Sequence, residues 1–189
     1  MSRLGKRLRF HARTRPDARA VFAGDRWWTY GELVASAGAI ADRLALGAGD
    51  VVAIAIARGI EAVLATCAAA LADAVPALID PGDAALAQRT VARLQPARVV
   101  ARPGALEGAS AIAGADVEPG PPVPWSPIAR PGLAFIIYTS GTTVDAKGVA
   151  WSETRAKFDW RAHPPPADAP AAPTGVAVPL CTALGLQDA

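Results

Sequence analysis

Hydroxyl side chains and a glycine cluster in one short stretch that a lysine follows. The cluster consists of Thr139, Ser140, Gly141, Thr142 and Thr143, and Lys147 stands four residues further along the chain. Backbone N–H groups at a tight turn, hydroxyl donors and an ammonium group are the donors that bind phosphate oxygens. The stretch therefore predicts a loop that holds a polyphosphate.

Apolar runs on both sides of this loop predict the strands that position it. Leu133 to Tyr138 is a short apolar run and predicts a buried strand that gives the loop a rigid base. Gly148 to Trp151 predicts a short returning strand. Ser152 then predicts an N-cap for a helix over Glu153 to Ala162.

Upstream of the loop, apolar runs alternate with helical patterns. Strands are predicted around the Gly24 turn, at Ala20–Phe22 and Trp27–Thr29, and then at Val51–Ile56, Val75–Ile79 and Ala97–Ala101. Three helices are predicted in this part of the chain. The first begins at a Thr29/Glu32 capping box, the second covers Ile60–Ala72, and the third runs from an Asp83 cap to Leu94. Continuous apolar runs are typical of parallel strands covered on both faces. The alternation therefore predicts an α/β fold, a layered sheet with flanking helices.

Residues 103–131 interrupt this alternation with many prolines and glycines. The composition predicts a surface connection without regular elements, which Trp125 anchors to the body. It divides the chain into a first α/β subdomain over 8–102, the connection over 103–131, and a segment over 132–189. That last segment carries the loop and begins the next subdomain.

The composition excludes several classes of function. The 19 Lys and Arg residues nearly balance 17 Asp and Glu, so the net charge of +2 argues against nucleic-acid binding. No apolar run is long enough to span a membrane, and none resembles a secretory signal. Cys67 and Cys181 lie far apart, and His11 and His163 lack metal-ligand spacing. We therefore expect a cytoplasmic protein without a metal site or disulfide.

The first fifteen residues carry most of the clustered positive charge. The basic residues are Arg3, Lys6, Arg7, Arg9, Arg13 and Arg15. This pattern predicts a solvated first helix turn, and a basic amphipathic targeting segment is the alternative.

The loop fits one known nucleotide-binding signature and not another. A Walker A loop requires Ser or Thr directly after its lysine, whereas Gly148 follows Lys147 here. Tyr138 to Val149 instead resembles the phosphate-binding signature of the adenylate-forming superfamily, Tyr-Thr-Ser-Gly-Thr-Thr-Gly, any residue, Pro-Lys-Gly-Val. The two departures are Val144 in place of the second glycine and Ala146 in place of proline.

Segments upstream support the resemblance. Thr29 to Leu33 is similar to the superfamily's Thr-Tyr-Gly-Glu-Leu, Gly49 to Ile54 to its Gly-Asp-Arg-Val-Ala, and Val75 to Pro81 to its Val-Pro-Leu-Asp-Pro. They occur in the superfamily's order, so the resemblance covers residues 8 to 180. Acyl-CoA synthetases, luciferase-like enzymes and adenylation domains of nonribosomal peptide synthetases belong to this superfamily.

The resemblance implies an ATP-dependent reaction with magnesium, in which a carboxylate attacks the α-phosphorus to give an acyl-adenylate and pyrophosphate. It also implies a fold equivalent to the first portion of the large N-terminal domain. By position it assigns phosphate binding to Thr139, Ser140, Gly141, Thr142, Thr143 and Lys147, with Lys147 as the catalytic residue. Val144 is poorly suited to a positive φ and would cost on the order of 1–3 kcal/mol if the loop requires one, which predicts weakened ATP binding.

The superfamily's later motifs have no counterpart in the 189 residues. These are the acidic magnesium ligand, the ribose-binding aspartate, the acyl pocket and the C-terminal lysine. One hypothesis is therefore a truncated AMP-binding N-terminal domain over 1–189, inactive alone and completed by a complementary synthetase chain. The alternatives are a non-catalytic scaffold module that docks on a carrier protein or synthetase, and a gene fragment with no role. An exposed apolar face would in each case favour a homo-oligomer.

Overall fold

The computed structural model describes residues 2–139 and 146–153. The helices are α1 Arg3–Thr14, α2 Tyr30–Arg43, α3 Ile60–Leu71 and α4 Ala84–Leu94. The strands are β1 Arg19–Ala23, β2 Arg26–Thr29, β3 Val51–Ala55, β4 Val75–Leu78, β5 Arg98–Ala101, β6 Ser110–Ala113, β7 Asp116–Glu118, β8 Leu133–Thr139 and β9 Lys147–Ser152. In this part of the chain, no helix is both long and apolar enough to cross a bilayer.

Seven strands form one sheet in the order β7-β6-β5-β3-β4-β8-β9. Strands β6, β5, β3, β4 and β8 run parallel to their neighbours, and β7 and β9 pair antiparallel at the two edges. All five residues of β3 are buried, as the continuous apolar run predicts. The predicted α/β class with a largely parallel, helix-flanked sheet is confirmed.

The two faces of the sheet are covered unequally. Helices α1, α2 and α3 pack against one another, and α2 and α3 bury Val52 and Ile54 of β3 on one face. Val51 and Ala53 point to the opposite face, because side chains alternate along a strand. There they join a smaller cluster with Val91 of α4. Helix α4 covers this second face of the sheet. The hairpin β8–β9 extends the sheet at one edge.

Local sequence signals fix the first hairpin and the start of α2. Strands β1 and β2 pair antiparallel around Gly24 and Asp25, whose φ angles are 60° and 63°. Two positive φ values at a two-residue turn match the twist of a hairpin. The Thr29 side chain accepts a hydrogen bond from the Glu32 N–H, and the Glu32 carboxylate accepts one from the Thr29 N–H. The predicted hairpin and capping box are confirmed.

The basic N-terminus forms more than the solvated turn that the sequence predicts. Helix α1 has 12 residues and is held on α3. Ser2 caps it by accepting from the Gly5 N–H at 2.9 Å, and its hydroxyl donates to the Ala70 carbonyl at 2.9 Å. Gly5 lies directly against Ala70, and Leu8 is buried. The lack of a side chain at Gly5 allows this close approach, which charge pattern alone does not reveal.

The expectation that residues 103–131 contain no regular elements is wrong. Strand β6 adds to the edge of β5, and β7 folds back on it across Gly114, whose φ is 60°. Ile112 and Val117 supply buried side chains for the pair. Both runs are too short to stand out among prolines, and they form because β5 offers an unpaired edge.

The end of the connection is fastened to the body at several points. The Trp125 indole N–H donates to the Pro96 carbonyl at 3.1 Å, which confirms the predicted anchor. The Ile128 N–H donates to the Gln95 carbonyl at 3.1 Å, and the Arg130 N–H donates to the Gly49 carbonyl at 2.7 Å. These contacts set the position from which β8 begins.

Candidate functional site

The antiparallel pair β8–β9 carries the predicted phosphate-binding loop. Thr139 pairs with Lys147, Tyr138 with Gly148, and Ile136 with Ala150. Residues 140–146 therefore connect two strands whose ends are held side by side. Because β8 is parallel to β4, the loop leaves the sheet at the carboxyl edge of the parallel strands. Ligands in open α/β sheets bind at this edge.

The structure places two of the six predicted site residues. The backbone of Thr139 ends β8, and Lys147 is exposed as the first residue of β9 rather than part of the loop. Ser140, Gly141, Thr142 and Thr143 lie outside the described residues, and so does Val144. Their assignment to phosphate binding stays a prediction, as do the roles of Thr139 and Lys147.

Ser152, the predicted helix N-cap, is the last residue of β9, and the helix that it would cap lies beyond the described residues. The predicted returning strand Gly148–Trp151 is confirmed and starts one residue earlier, at Lys147. The helix predicted from Glu153 to Ala162, and the last strand predicted near residue 176, fall almost entirely outside the described residues.

A close contact explains the glycine after Lys147. A Cβ atom on Gly148 would lie 3.1 Å from Cε1 and Cζ of Tyr138, so the phenol ring crosses the backbone of β9 at this point. Tyr138 is half-buried, and burial raises the pKa of its phenol while the charges of Arg130 and Arg93 oppose that rise. The base of the loop is therefore held by a ring that packs on glycine.

A second aromatic contact stabilises the far end of the hairpin. The rings of Phe135 and Trp151 stack across the strands with centroids 5.6 Å apart and planes inclined by 27°. Cross-strand aromatic pairs contribute roughly 0.2–1 kcal/mol to a sheet. The strand register, which pairs Phe135 with Trp151, brings the two rings together.

A family model for AMP-binding enzymes matches residues 8–158, which include every described element from the second half of α1 to β9. The chain belongs to the AMP-binding enzyme family. This result confirms the resemblance to adenylate-forming enzymes on which the prediction of an ATP-phosphate loop rests.

A curated relative of this AMP-binding chain is an isonitrile lipopeptide synthase of Streptomyces coeruleorubidus. The two are 37% identical over 161 residues, which cover 74% of this chain and 10% of the synthase. The chain thus spans about a tenth of the length of that relative.

Two solved structures show the same fold as this AMP-binding chain. MatB from Rhodopseudomonas palustris, in its apo form, has a TM-score of 0.72 at 22% identity over 98% of this chain and 42% of its own. O-succinylbenzoate coenzyme A synthetase (MenE) from Bacillus subtilis, in complex with AMP, has a TM-score of 0.71 at 20% identity over 99% of this chain and 52% of its own. The described part of this chain therefore has the fold of the corresponding part of these two proteins.

The described part of this AMP-binding domain also contains titratable side chains away from the loop. No group of three His, Cys, Asp or Glu residues there could hold a metal ion. Cys67 is buried in α3, and burial raises the pKa of its thiol to about 12, so it is not a thiolate nucleophile.

Sequence reasoning missed an open cavity beside the loop. It has a volume of about 480 Å³ and lies between α4 and the β8–β9 hairpin. Arg93 of α4 and Arg130 of the connection line it together with Tyr138. These residues are far apart in the sequence, and no spacing rule could have grouped them.

Proposed function

We propose that this chain supplies the ATP phosphate-binding wall of an adenylate-forming ligase. The observation that carries the proposal is the pairing of Thr139 with Lys147, which closes a hydroxyl- and glycine-rich loop at the carboxyl edge of the sheet. Family membership and the similarity to a synthetase in complex with AMP support it.

In the proposed reaction, an oxygen of a substrate carboxylate forms a bond to the α-phosphorus of ATP. The bond from that phosphorus to the oxygen bridging to the β-phosphorus breaks, and pyrophosphate leaves with the electron pair. The hydroxyl and N–H groups of Thr139 to Thr143 would hold the β- and γ-phosphates, and the Lys147 ammonium would neutralise charge on the leaving group. Magnesium would enter with ATP, because the described residues offer no metal-ligand cluster of their own.

The remaining parts of such a site are not among these residues. An acidic metal ligand, a ribose-binding carboxylate and an acyl pocket would come from polypeptide outside the 189 residues, in the same chain or in a complementary one. The similarity to a lipopeptide synthase favours a carrier-linked peptide assembly as the setting.

MgATP binding to the chain tests the proposal through thermal unfolding. Ligand at ten times its Kd stabilises a protein by about 1.4 kcal/mol, which raises the Tm of a chain of this size by about 3–6 °C. We expect this rise with the unchanged chain and its loss in Lys147→Ala. Lys6→Ala is the matched control, because Lys6 is an exposed lysine on α1, and it should keep the rise.

Two results would refute phosphate binding by the loop. One is an unchanged Tm at millimolar MgATP in a chain that unfolds cooperatively. The other is an equal loss of the rise in both lysine variants, since that would show a general effect of charge rather than a contact at the loop.

A non-catalytic docking module is the second candidate, and Val144 favours it. A β-branched residue replaces the glycine that the superfamily places in this loop. In this case the folded chain would bind a synthetase or carrier protein with the same affinity with and without MgATP. A co-purification or titration in which MgATP changes that affinity would exclude this candidate.

A further inference from the structure

Helix α1 carries an uneven share of the charge of the chain. Residues 1–15 contain six of the 19 Lys and Arg residues and none of the 17 Asp and Glu residues. Two carboxylates from elsewhere, those of Asp73 and Glu153, accept hydrogen bonds from the backbone N–H groups of Ser2 and Arg3. They lie at the N-terminus of the helix, where its dipole favours anions. Because no Asp or Glu occurs along the helix itself, its outer surface is cationic.

One side of α1 is buried against the fold. Gly5 and Leu8 are buried, and Ala12 is half-buried. These residues follow one another at spacings of three and four, so they lie on one side of the helix. Gly5 on this side lies against Ala70 of α3. The opposite side of α1 therefore faces solvent.

The solvent side consists of cations around one aromatic ring. Arg3, Lys6, Phe10 and Arg13 follow one another at spacings of three, four and three, and all four are exposed. We call these four residues the cationic stripe. Phe10 is 52% exposed and lies between Lys6 and Arg13. Aromatic residues and arginine are enriched among the residues that contribute most to protein interfaces, so the stripe has the composition of a binding surface.

Contacts made by other residues of α1 hold the stripe in a fixed orientation. The Arg9 guanidinium donates to the Leu71 carbonyl at the end of α3 at 2.8 Å. On the other flank, the His11 ring lies 4.8 Å from the ring of Tyr30. Because neither contact uses a residue of the stripe, its side chains stay accessible on a rigid support, which lowers the entropic cost of binding.

A protein helix is the partner that the stripe fits best. The stripe is straight and extends over about 15 Å from Arg3 to Arg13, because a helix rises about 1.5 Å per residue. A partner helix that lies along it can place Asp or Glu at the same spacings and an apolar residue against Phe10.

A lipid bilayer fits the stripe less well. Amphipathic helices at a bilayer surface bury their apolar side at the boundary of the acyl chains. The apolar side of α1 is already buried against the fold through Gly5 and Leu8. The exposed Leu4 and Phe10 would be the apolar side chains of α1 left to enter the bilayer.

We propose that the cationic stripe of α1 is a docking surface for an acidic helix of a partner protein. Phe10 is the apolar contact at its centre, and Lys6 and Arg13 are the charge contacts on either side. Complementary charge would speed association and make it sensitive to salt. The stripe lies on a different element from the phosphate loop, so this proposal does not rest on ATP binding.

Fluorescence anisotropy of a labelled synthetic peptide tests the proposal on the whole chain. The probe is an amphipathic helical peptide of Glu, Ala and Leu whose glutamates recur at spacings of three and four. The control peptide carries Gln in place of each Glu. We expect saturable binding of the Glu peptide that weakens as salt is added, and little binding of the Gln peptide.

Variants of the stripe locate the binding surface. Phe10→Ala should weaken binding of the Glu peptide about tenfold, as expected for an aromatic anchor residue. Phe22→Ala is its matched control, because Phe22 is similarly exposed on the β1–β2 hairpin and should leave binding unchanged. Arg13→Gln should weaken binding up to about fivefold, and Arg89→Gln, at an exposed arginine of α4, is the control that should not. Far-UV circular dichroism should show the same helix content in all four variants.

Three results would overturn the docking surface. They are the absence of saturable binding of the Glu peptide, equal binding of the Gln peptide, and equal weakening by each variant and its control. Vesicles of phosphatidylcholine and phosphatidylserine test the bilayer as the partner. Vesicle binding that Arg13→Gln abolishes, in a chain that does not bind the Glu peptide, would assign the stripe to a lipid surface instead. These outcomes leave the phosphate loop untouched, because the MgATP experiment involves neither Phe10 nor Arg13.

Discussion

The molecule contains two antiparallel hairpins that differ in how their strands are joined. Strands β1 and β2 are joined by two residues, Gly24 and Asp25, both at positive φ. Strands β8 and β9 are joined by the seven residues 140–146, although two residues are enough to join the strands of a hairpin. The first hairpin packs the buried Trp28 into the core, whereas β9 exposes Lys147, Gly148, Val149 and Ala150.

This difference separates a hairpin that stabilises the fold from a hairpin whose connection is proposed to bind phosphate. A minimal turn leaves few backbone N–H groups for a ligand, and its residues serve strand twist. A seven-residue connection costs more closure entropy than a two-residue turn, and this one contains several hydroxyl side chains and backbone N–H groups. Changes in the first hairpin should therefore alter stability, and changes in the second should alter binding.

Trp28→Ala should have the largest effect. The indole is 7% exposed in the core, and the Arg26 guanidinium lies 3.9 Å from its ring centroid. Loss of a buried Trp costs about 3–5 kcal/mol in free energy of unfolding, which urea titration would measure. Phe22→Ala is the control, because Phe22 is 57% exposed on the same hairpin and loses mainly its edge contact with Trp27, which should cost less than about 1 kcal/mol. Equal losses of stability in the two variants would contradict the burial of Trp28 in the core and the exposure of Phe22 to solvent.

Val144→Gly should act on binding and not on stability. It restores the glycine of the superfamily signature, and relief of about 1.4 kcal/mol of strain that arises only in the ATP-bound loop would tighten MgATP binding roughly tenfold. Calorimetric titration measures the affinity, and urea unfolding of the same variant should show little change. An unchanged affinity in a folded variant would show that a residue other than Val144 limits ATP binding.

Gly24→Ala should destabilise the chain by about 1 kcal/mol, because its φ of 60° disfavours a side chain although no atom lies within 4 Å of the added Cβ. Gly38→Ala provides a control of opposite sign. Gly38 lies inside α2 with open space around its Cβ position, so alanine should stabilise by up to about 1 kcal/mol. An unchanged free energy of unfolding in Gly24→Ala would contradict the requirement for a positive φ at the β1–β2 turn.

Glu32→Gln should have the smallest effect on stability, and that effect should depend on pH. The Thr29 N–H hydrogen bond, followed by the Arg26 contact, lowers the pKa of Glu32 below its ordinary value of 4.5. A carboxylate with a lowered pKa stabilises the fold above that value and loses the effect as the pH falls through its folded pKa. Glu32→Gln should thus be less stable than the unchanged chain at neutral pH, and the gap should close below pH 4.5. Urea unfolding at stepped pH would check this, and a gap that persists in acid would exclude the carboxylate as its source.

Elements that depend on neighbouring residues were predictable from the sequence. Continuous apolar runs define β3 and β4, and the Thr29/Glu32 pair fixes the start of α2. The sequence motif also identified the family, because its hydroxyls and Lys147 are contiguous. The same contiguity predicts the phosphate loop, but residues 140–145 lie outside the described chain.

Features made by distant residues were not predictable. Strand β6 exists because β5 has a free edge, and α1 docks because Gly5 meets the Ala70 carbonyl. The cavity between α4 and the β8–β9 hairpin is lined by Arg93, Arg130 and Tyr138, which meet because the sheet order places β8 next to β4. In each case the deciding contact depends on sheet order or close packing, which no local pattern encodes.

Hydrogen bonds hold Trp125, Ile128 and Arg130 to the body of the fold, so the start of β8 does not depend on the length of the chain before them. Pro121 and Pro122 are exposed between β7 and these anchors, so the backbone there can be lengthened without moving the start of β8. An epitope tag or fluorescent reporter inserted between them should leave the β8–β9 pair in place.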